Sequence, residues 1–275
     1  AIGRMTQKSP VGAYRSFGKS KWLTLGGWIN AVIPILIVPY YSVIGGWVIK
    51  YLYEYIIGNG GQLASDGYFT GFISSGGSAE ICFLIFTALT VAVIFGGVRN
   101  GIERVSKFMM PVLVILSIMI TAYSVTMPGA LEGVKYFLIP NFSNFSWMTV
   151  VSAMGQMFYS LSIAMGILIP FGSYMKKGVS IEKSTTNVEI FDTGIAIMAG
   201  LMIIPAVFAF SGGDPDTLQA GPSLMFITLP KVFSGLSAGT FVGILFFFLV
   251  LCAALTSSIA LTESAVSTFQ DQLGW

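Results

Sequence analysis

Oxygen-bearing side chains interrupt three otherwise apolar stretches of this sequence. They are Ser160 and Ser162 in the first stretch, Asp192 at the start of the second, and Thr256, Ser257 and Ser258 in the third. Hydroxyl, carbonyl and carboxylate oxygens are the hard ligands that an alkali cation accepts. A carboxylate inside a membrane helix marks an ion or proton pathway by default. These residue types therefore predict cation binding shared between several segments.

Each of these groups also has a purely structural interpretation. Asp192 and Glu189 are one helical turn apart, and both would suit the water interface at the end of a helix. Serine and threonine in membrane helices commonly bond a preceding carbonyl group or a neighbouring helix. Spacing alone leaves both interpretations open.

The stretch GQMFYSLSIAMGILIPFGSY, Gly155–Tyr174, is apolar at both ends but holds two hydroxyls and a glycine between Ser160 and Gly166. This order disfavours a continuous helix. Free backbone groups at membrane depth are tolerated only where they line a protein cavity or hold a ligand. We therefore predict a helix that is broken here, with a binding site at the break.

Tyr40 and Tyr41 follow Pro39 midway along another apolar stretch, too deep for an interfacial aromatic belt. A buried phenol needs a hydrogen-bond partner. That partner is either a neighbouring backbone group or the carboxylate of a substrate, and helical spacing does not decide between them.

The elements that must position these groups are membrane helices. Of the 275 residues, 55% are hydrophobic and only 9% are charged, against about 25% charged residues in soluble domains. The charge-free windows are near or above the roughly 18–20 residues that a helix needs to cross a bilayer. We predict an all-α integral membrane protein whose single domain, 1–275, has six spans. They are about 22–53, 81–98, 108–125, 147–174, 188–210 and 240–267.

The basic residues predict the orientation of these spans. Eleven of the fourteen Lys and Arg residues lie in three segments, 1–21, 99–107 and 176–187. By the positive-inside rule these segments are cytoplasmic, in a multi-pass protein of the cell membrane. The net charge of +2 gives no reason to expect a nucleic-acid partner, whereas the apolar spans imply the lipid bilayer.

An enzyme is disfavoured by the residue inventory. The chain has no histidine, no Ser-Lys pair at membrane depth and no paired midplane carboxylates. Its two cysteines, Cys82 and Cys252, both lie in apolar windows, which predicts buried free thiols.

Six segments together resemble the neurotransmitter:sodium symporter family, in its bacterial amino-acid transporter branch, over essentially the whole chain. They are GRMTQKSPVGAYR (3–15), the tyrosine pair (40–41), GVRNGIERVSKFMMP (97–111), GQMFYSLS (155–162), GPSLMFITLPKVF (221–233) and ALTSSIAL (254–261). The resemblance implies part of the inverted-repeat sodium symporter fold, from the end of the family's second helix through its eighth. On this expectation the chain is a fragment, and its missing partners are the family's first helix and helices nine to twelve.

The resemblance also implies roles for individual residues. It implies that Ser160 and Asp192 bind the first sodium ion, with Gln156 as a polar contact beside the Asp192 carboxylate. It implies that the carbonyl group of Ala253 and the side chains of Thr256 and Ser257 bind the second sodium ion. The substrate positions are Ile37, Tyr41, Tyr159, Ser160, Ser162, Met165, Ser257 and Leu261. Tyr159 stands where the family commonly has a phenylalanine lid, and Met165 replaces a bulkier aromatic residue of the leucine-selective relative.

The implied function is a sodium-coupled symporter that imports neutral hydrophobic L-amino acids by alternating access. Two Na⁺ sites are expected, and chloride is not expected to be required because the Asp192 carboxylate supplies a negative charge. The alternative is a membrane scaffold or regulatory subunit that keeps the fold without transporting. The small-molecule partner expected for the symporter is its amino-acid substrate, and binding of this substrate would distinguish the symporter from the scaffold.

Overall fold

The computed structural model describes residues 1–214 and 221–274, and the regular secondary structure within them is helical. Residues 215–220 of the predicted outer loop and the last residue of the predicted domain lie outside this description. The first seven α-helices are α1 (Ile2–Thr6), α2 (Pro10–Ser16), α3 (Lys21–Ile56), α4 (Gly60–Leu63), α5 (Tyr68–Ser74), α6 (Gly76–Phe95) and α7 (Arg104–Val125). They are followed by α8 (Ala130–Leu138), α9 (Trp147–Ser160), α10 (Leu168–Ser173), α11 (Ile181–Ser211), α12 (Leu229–Ser234) and α13 (Gly239–Leu273).

Five helices in the described ranges are long and apolar enough to cross a membrane. They are Lys21–Ile56, Gly76–Phe95, Asn100–Val125, Ile181–Ser211 and Gly239–Leu273. Most of these helices are longer than the corresponding charge-free windows of the sequence. The reason is that a helix can continue into the charged residues that flank its membrane-spanning part. For example, α11 begins at Ile181, seven residues before the predicted span, and the Ser180 side chain caps it by accepting from the Lys183 amide at 3.3 Å.

The predicted span 147–174 is the exception, because it forms two helices. α9 ends at Ser160, and α10 begins only at Leu168. The predicted break in Gly155–Tyr174 is thereby confirmed.

The bundle is centred on α3 and α13, which pack against each other and are flanked by α6 and α7. Small residues allow the close approach: a Cβ atom at Gly46 would lie 2.6 Å from the Phe83 amide nitrogen of α6. Such contacts are typical of membrane bundles, where close packing rather than hydrophobicity brings helices together.

An aromatic cluster forms a large part of the buried core. Tyr51 of α3 donates a hydrogen bond from its phenol to the Phe226 carbonyl at 2.8 Å, and Phe247 of α13 packs against the Tyr51 ring. Nearby, Lys231 Nζ lies 2.6 Å from Asp66 Oδ1 and holds the pKa of that exposed carboxyl below its ordinary value. These contacts join α3 to the segment that leads into α13.

Polar contacts hold together segments that are far apart in the sequence. Ser9 Oγ donates to Asp271 Oδ2 at 2.5 Å, and Arg15 Nη1 donates to Gln272 Oε1 at 2.9 Å. The Arg4 guanidinium bonds the Val179 carbonyl. The basic segments 1–21 and 176–187 therefore meet at one end of the bundle.

Candidate functional site

Helix α9 ends in a hydrogen-bonded cap. The Ile163 amide donates to the Phe158 carbonyl at 2.9 Å, and the Ser162 amide donates to the Tyr159 carbonyl at 3.1 Å. These are the two bonds of a Schellman motif, in which the residue after the cap is left-handed and is usually glycine. Here that residue is Ser162, with φ 54°.

The break holds two further left-handed residues, Ala164 with φ 63° and Gly166 with φ 75°. A non-glycine residue in this region costs roughly 1–2 kcal/mol. Strained backbone of this kind persists only where surrounding structure holds it, and it is frequent at ligand sites.

The strained turn exposes backbone acceptors. Among the described residues, the carbonyl groups of 160–165 accept no backbone hydrogen bond outside the helices. Carbonyl oxygens freed at membrane depth need another partner, and a cation is a suitable one.

Ser160 and Asp192 meet at this break. Ser160 Oγ donates to Asp192 Oδ1 at 2.8 Å, which joins the last residue of α9 to the side of α11. The Asp192 side chain is half-buried, so this carboxylate lies partly sheltered beside the free carbonyl groups. The structure therefore brings together both residues predicted for the first sodium ion, while their role as ligands stays a prediction.

The other predicted positions on α9 lie at the surface of the described chain. Gln156 is exposed, and Tyr159 is 51% exposed. No residue of α9 in this structure is buried. The lid role of Tyr159 stays a prediction.

The hydroxyls of α13 point in different directions. Thr256 Oγ1 lies 3.1 Å from the Cys252 carbonyl oxygen and 3.0 Å from that of Ala253. This is the bond to the preceding turn that the structural interpretation expects, yet it also places two predicted ligands of the second sodium ion side by side. Ser257 is exposed, and Ser258 is fully buried.

Tyr41 of α3 lies beside the Ser257 side chain and near the phenols of Tyr40 and Tyr159. Its neighbour is thus a side-chain hydroxyl of α13, which differs from both partners considered on the sequence alone. This proximity brings a predicted substrate residue next to a predicted sodium residue, while both roles stay predictions.

The remaining pocket positions come from three segments. Ile37 lies on α3, Met165 lies in the turn of the break, and Leu261 lies on α13. Leu261 is buried, whereas Ile37 and Met165 are half-buried. The Ser162 hydroxyl makes no hydrogen bond within the described chain, and the bonds and ring contacts of the structure do not link these four positions. Their common pocket stays a prediction.

Sequence reasoning missed Glu263. This carboxylate is only 6% exposed and accepts a hydrogen bond from the Tyr174 phenol at 2.6 Å, which ties the segment after α10 to α13. Tyr174 ends the predicted span 147–174, whereas Glu263 lies inside the predicted span 240–267, and neither residue has a predicted role. The only available signal was a single carboxylate within an otherwise apolar span.

Comparisons with known proteins show the family to which this chain belongs. The family profile described as the sodium:neurotransmitter symporter family matches residues 69–275. An uncharacterized sodium-dependent transporter of Bacillus subtilis is 37% identical over 97% of this chain and 59% of its own length. One of Haemophilus influenzae is 35% identical over 99% of this chain and 62% of its own length.

A solved structure extends the likeness to the fold. The crystal structure of MhsT in complex with L-phenylalanine matches with a TM-score of 0.87 and 36% identity, over 100% of this chain and 62% of that chain. This chain thus spans about three-fifths of the length of the proteins it matches. Because the family profile covers well over half of the sequence and the fold agrees throughout, the chain belongs to the sodium:neurotransmitter symporter family.

Proposed function

We propose that the protein is a sodium-coupled symporter for neutral hydrophobic L-amino acids. The observation that carries the proposal is the 2.8 Å contact between Ser160 and Asp192 at a strained helix break. A hydroxyl, a carboxylate and unpaired carbonyl groups there offer several oxygen ligands and one compensating negative charge. A protein that only keeps the fold as a scaffold would not need this set of oxygen ligands.

The first sodium ion would lie between Ser160 and Asp192. In the structure the Ser160 hydroxyl donates a hydrogen bond to the Asp192 carboxylate. When a cation binds, that proton turns away, and both side chains direct lone pairs at the ion. The Asp192 charge then balances Na⁺ without an added anion, with Gln156 as a nearby polar group, so chloride is not required.

The second sodium ion would be held by α13. The Ala253 carbonyl, Thr256 and Ser257 occupy successive turns of one helix, and Thr256 already touches Ala253. Ser257 is shared with the neighbouring substrate site through Tyr41.

The substrate would be a zwitterion with an apolar side chain. Tyr41 supplies a donor for its carboxylate, and Tyr159 supplies the lid. The side-chain positions Ile37, Met165 and Leu261 carry no charge, and methionine repacks around different shapes. MhsT, which is 36% identical, has been crystallised with L-phenylalanine, and this supports the same substrate class here.

Coupling follows from electrostatics. A sodium ion beside the substrate carboxylate reduces the cost of desolvating both charges, so each ligand raises the affinity for the other. The sodium gradient then drives amino-acid uptake as α9 and α10 rock against the scaffold that includes α3 and α13. The gathering of the basic segments 1–21 and 176–187 at one end supports a cytoplasmic placement for that end, in the cell membrane.

Radioligand binding tests this function. Purified full-length protein should bind labelled L-phenylalanine and L-leucine in NaCl but not in KCl, and unlabelled charged amino acids should not compete. Binding that is absent, or equal in both salts, would instead favour the non-transporting scaffold.

A further inference from the structure

A buried hydroxyl pair joins α6 to α13 next to the predicted ligands of the second sodium ion. Thr90 Oγ1 of α6 lies 3.1 Å from Ser258 Oγ of α13. Thr90 is 2% exposed and Ser258 is 0% exposed, so neither hydroxyl can exchange this contact for water.

The contact is more important to Ser258 than to Thr90. Thr90 Oγ1 also lies 3.1 Å from the Phe86 carbonyl oxygen of its own helix, so the threonine has a second partner. Among the described residues, Ser258 Oγ has only Thr90. Without Thr90, the serine would have to turn back to the preceding carbonyl of α13 or stay unsatisfied.

This contact helps to set the rotation of α13 at the predicted sodium ligands. Successive residues of an α-helix are about 100° apart around the axis, so directing Ser258 at α6 constrains where the adjacent Ser257 and Thr256 point. The other polar contacts of α13 that bind distant segments, at Glu263 and Asp271, lie farther along the helix, and the preceding run 241–255 is apolar on every side, so its hydrophobicity alone does not orient the hydroxyls. In a membrane, an interhelical hydrogen bond is one of the few interactions that can do so.

We infer that Thr90 is a positioning residue for the second sodium site, acting through Ser258 on the orientation of the α13 ligands. The inference rests on the proposed function, because it concerns the sodium ion that Ala253, Thr256 and Ser257 would hold. It adds a residue of a different helix that touches neither sodium nor substrate.

Sodium titrations of labelled L-phenylalanine binding to the full-length protein test this role. Thr90→Val keeps the shape and removes the hydroxyl. It should raise the half-saturating sodium concentration about three- to tenfold, the range that corresponds to one lost hydrogen bond. Thr90→Ser, which keeps the hydroxyl, should restore the original sodium dependence.

Thr87→Val is the matched control. Thr87 lies on the same helix one turn earlier, and its hydroxyl is buried without a partner in the described chain. This variant should titrate like the unsubstituted protein. If Thr90→Val and Thr87→Val shift the sodium titration equally, or if Thr90→Val changes only protein stability, the inference is wrong.

Ser258→Ala keeps the test decisive if Thr90→Val does not fold, because it removes the same bond from the other side and should give the same shift. Failure of this inference is distinct from failure of the function. If the unsubstituted protein shows no sodium dependence, the symporter proposal itself is overturned. If it does, unaltered titrations of the Thr90 and Ser258 variants overturn only the positioning role.

Discussion

The backbone of Gly166 lies directly against the Asn30 carbonyl group, so closely that a Cβ atom on Gly166 would be 2.6 Å from that oxygen. Gly166 is also left-handed, with φ 75°. Two independent constraints therefore select glycine where the broken segment rests on α3.

Gly166→Ala should lower the stability of the protein by at least about 2 kcal/mol, since it adds a steric clash to the cost of a left-handed alanine. Thermal unfolding in detergent measures this change. Gly178→Ala is the control, because a Cβ atom there meets nothing within 4 Å. Equal melting temperatures for the two variants would show that the break does not rest on α3 as described.

Tyr174→Phe should destabilise the protein by about 1–3 kcal/mol, because it removes the phenol that satisfies the buried Glu263 carboxylate. Tyr53→Phe, at a phenol that is 55% exposed, should have little effect in the same unfolding assay. The double variant Tyr174→Phe with Glu263→Met should recover much of the loss, since replacing both partners leaves no unsatisfied charge. A double variant less stable than Tyr174→Phe alone would contradict this pairing.

The sequence was sufficient to predict the helical class, the presence of long apolar helices and the break within Gly155–Tyr174. These features depend on the length of apolar runs and on the order of neighbouring residues, both of which can be read directly from the sequence. The pairing of Ser160 with Asp192 came from family resemblance, and the structure reproduces it as a contact.

Contacts between distant segments were less accessible. Neither Glu263 nor Thr90 stands out by spacing, because one polar group in an apolar run has many possible partners until the helices are packed. The Tyr41 neighbour was missed for the same reason: helical periodicity places Tyr41 at membrane depth but does not say that Ser257 faces it. Long-range packing decides these contacts.

Met165→Phe tests the predicted substrate pocket. The larger ring should reduce the space for the substrate side chain, so the affinity for L-tryptophan should fall several-fold more than that for L-leucine. Competition against labelled L-leucine gives both affinities in one assay. Equal losses for the two amino acids would place Met165 outside the side-chain pocket.

Anion replacement tests the role of the Asp192 charge. Uptake by the unsubstituted full-length protein should be the same in sodium gluconate as in sodium chloride, because the carboxylate balances the bound sodium. Asp192→Asn keeps an oxygen ligand but loses this charge, so its remaining uptake should depend on chloride. A collapse of unsubstituted uptake in gluconate would refute charge balance by Asp192.

The most direct test of the account is a sodium titration of labelled L-phenylalanine binding to Asp192→Ala and Glu189→Ala. Both variants remove one negative charge from α11, but only Asp192 contacts Ser160. Glu189 is exposed one turn earlier. Asp192→Ala should raise the half-saturating sodium concentration by about tenfold or more, the ratio equivalent to 1.4 kcal/mol, while Glu189→Ala should leave it unchanged. Identical titrations for the two variants would contradict a sodium site at Ser160 and Asp192.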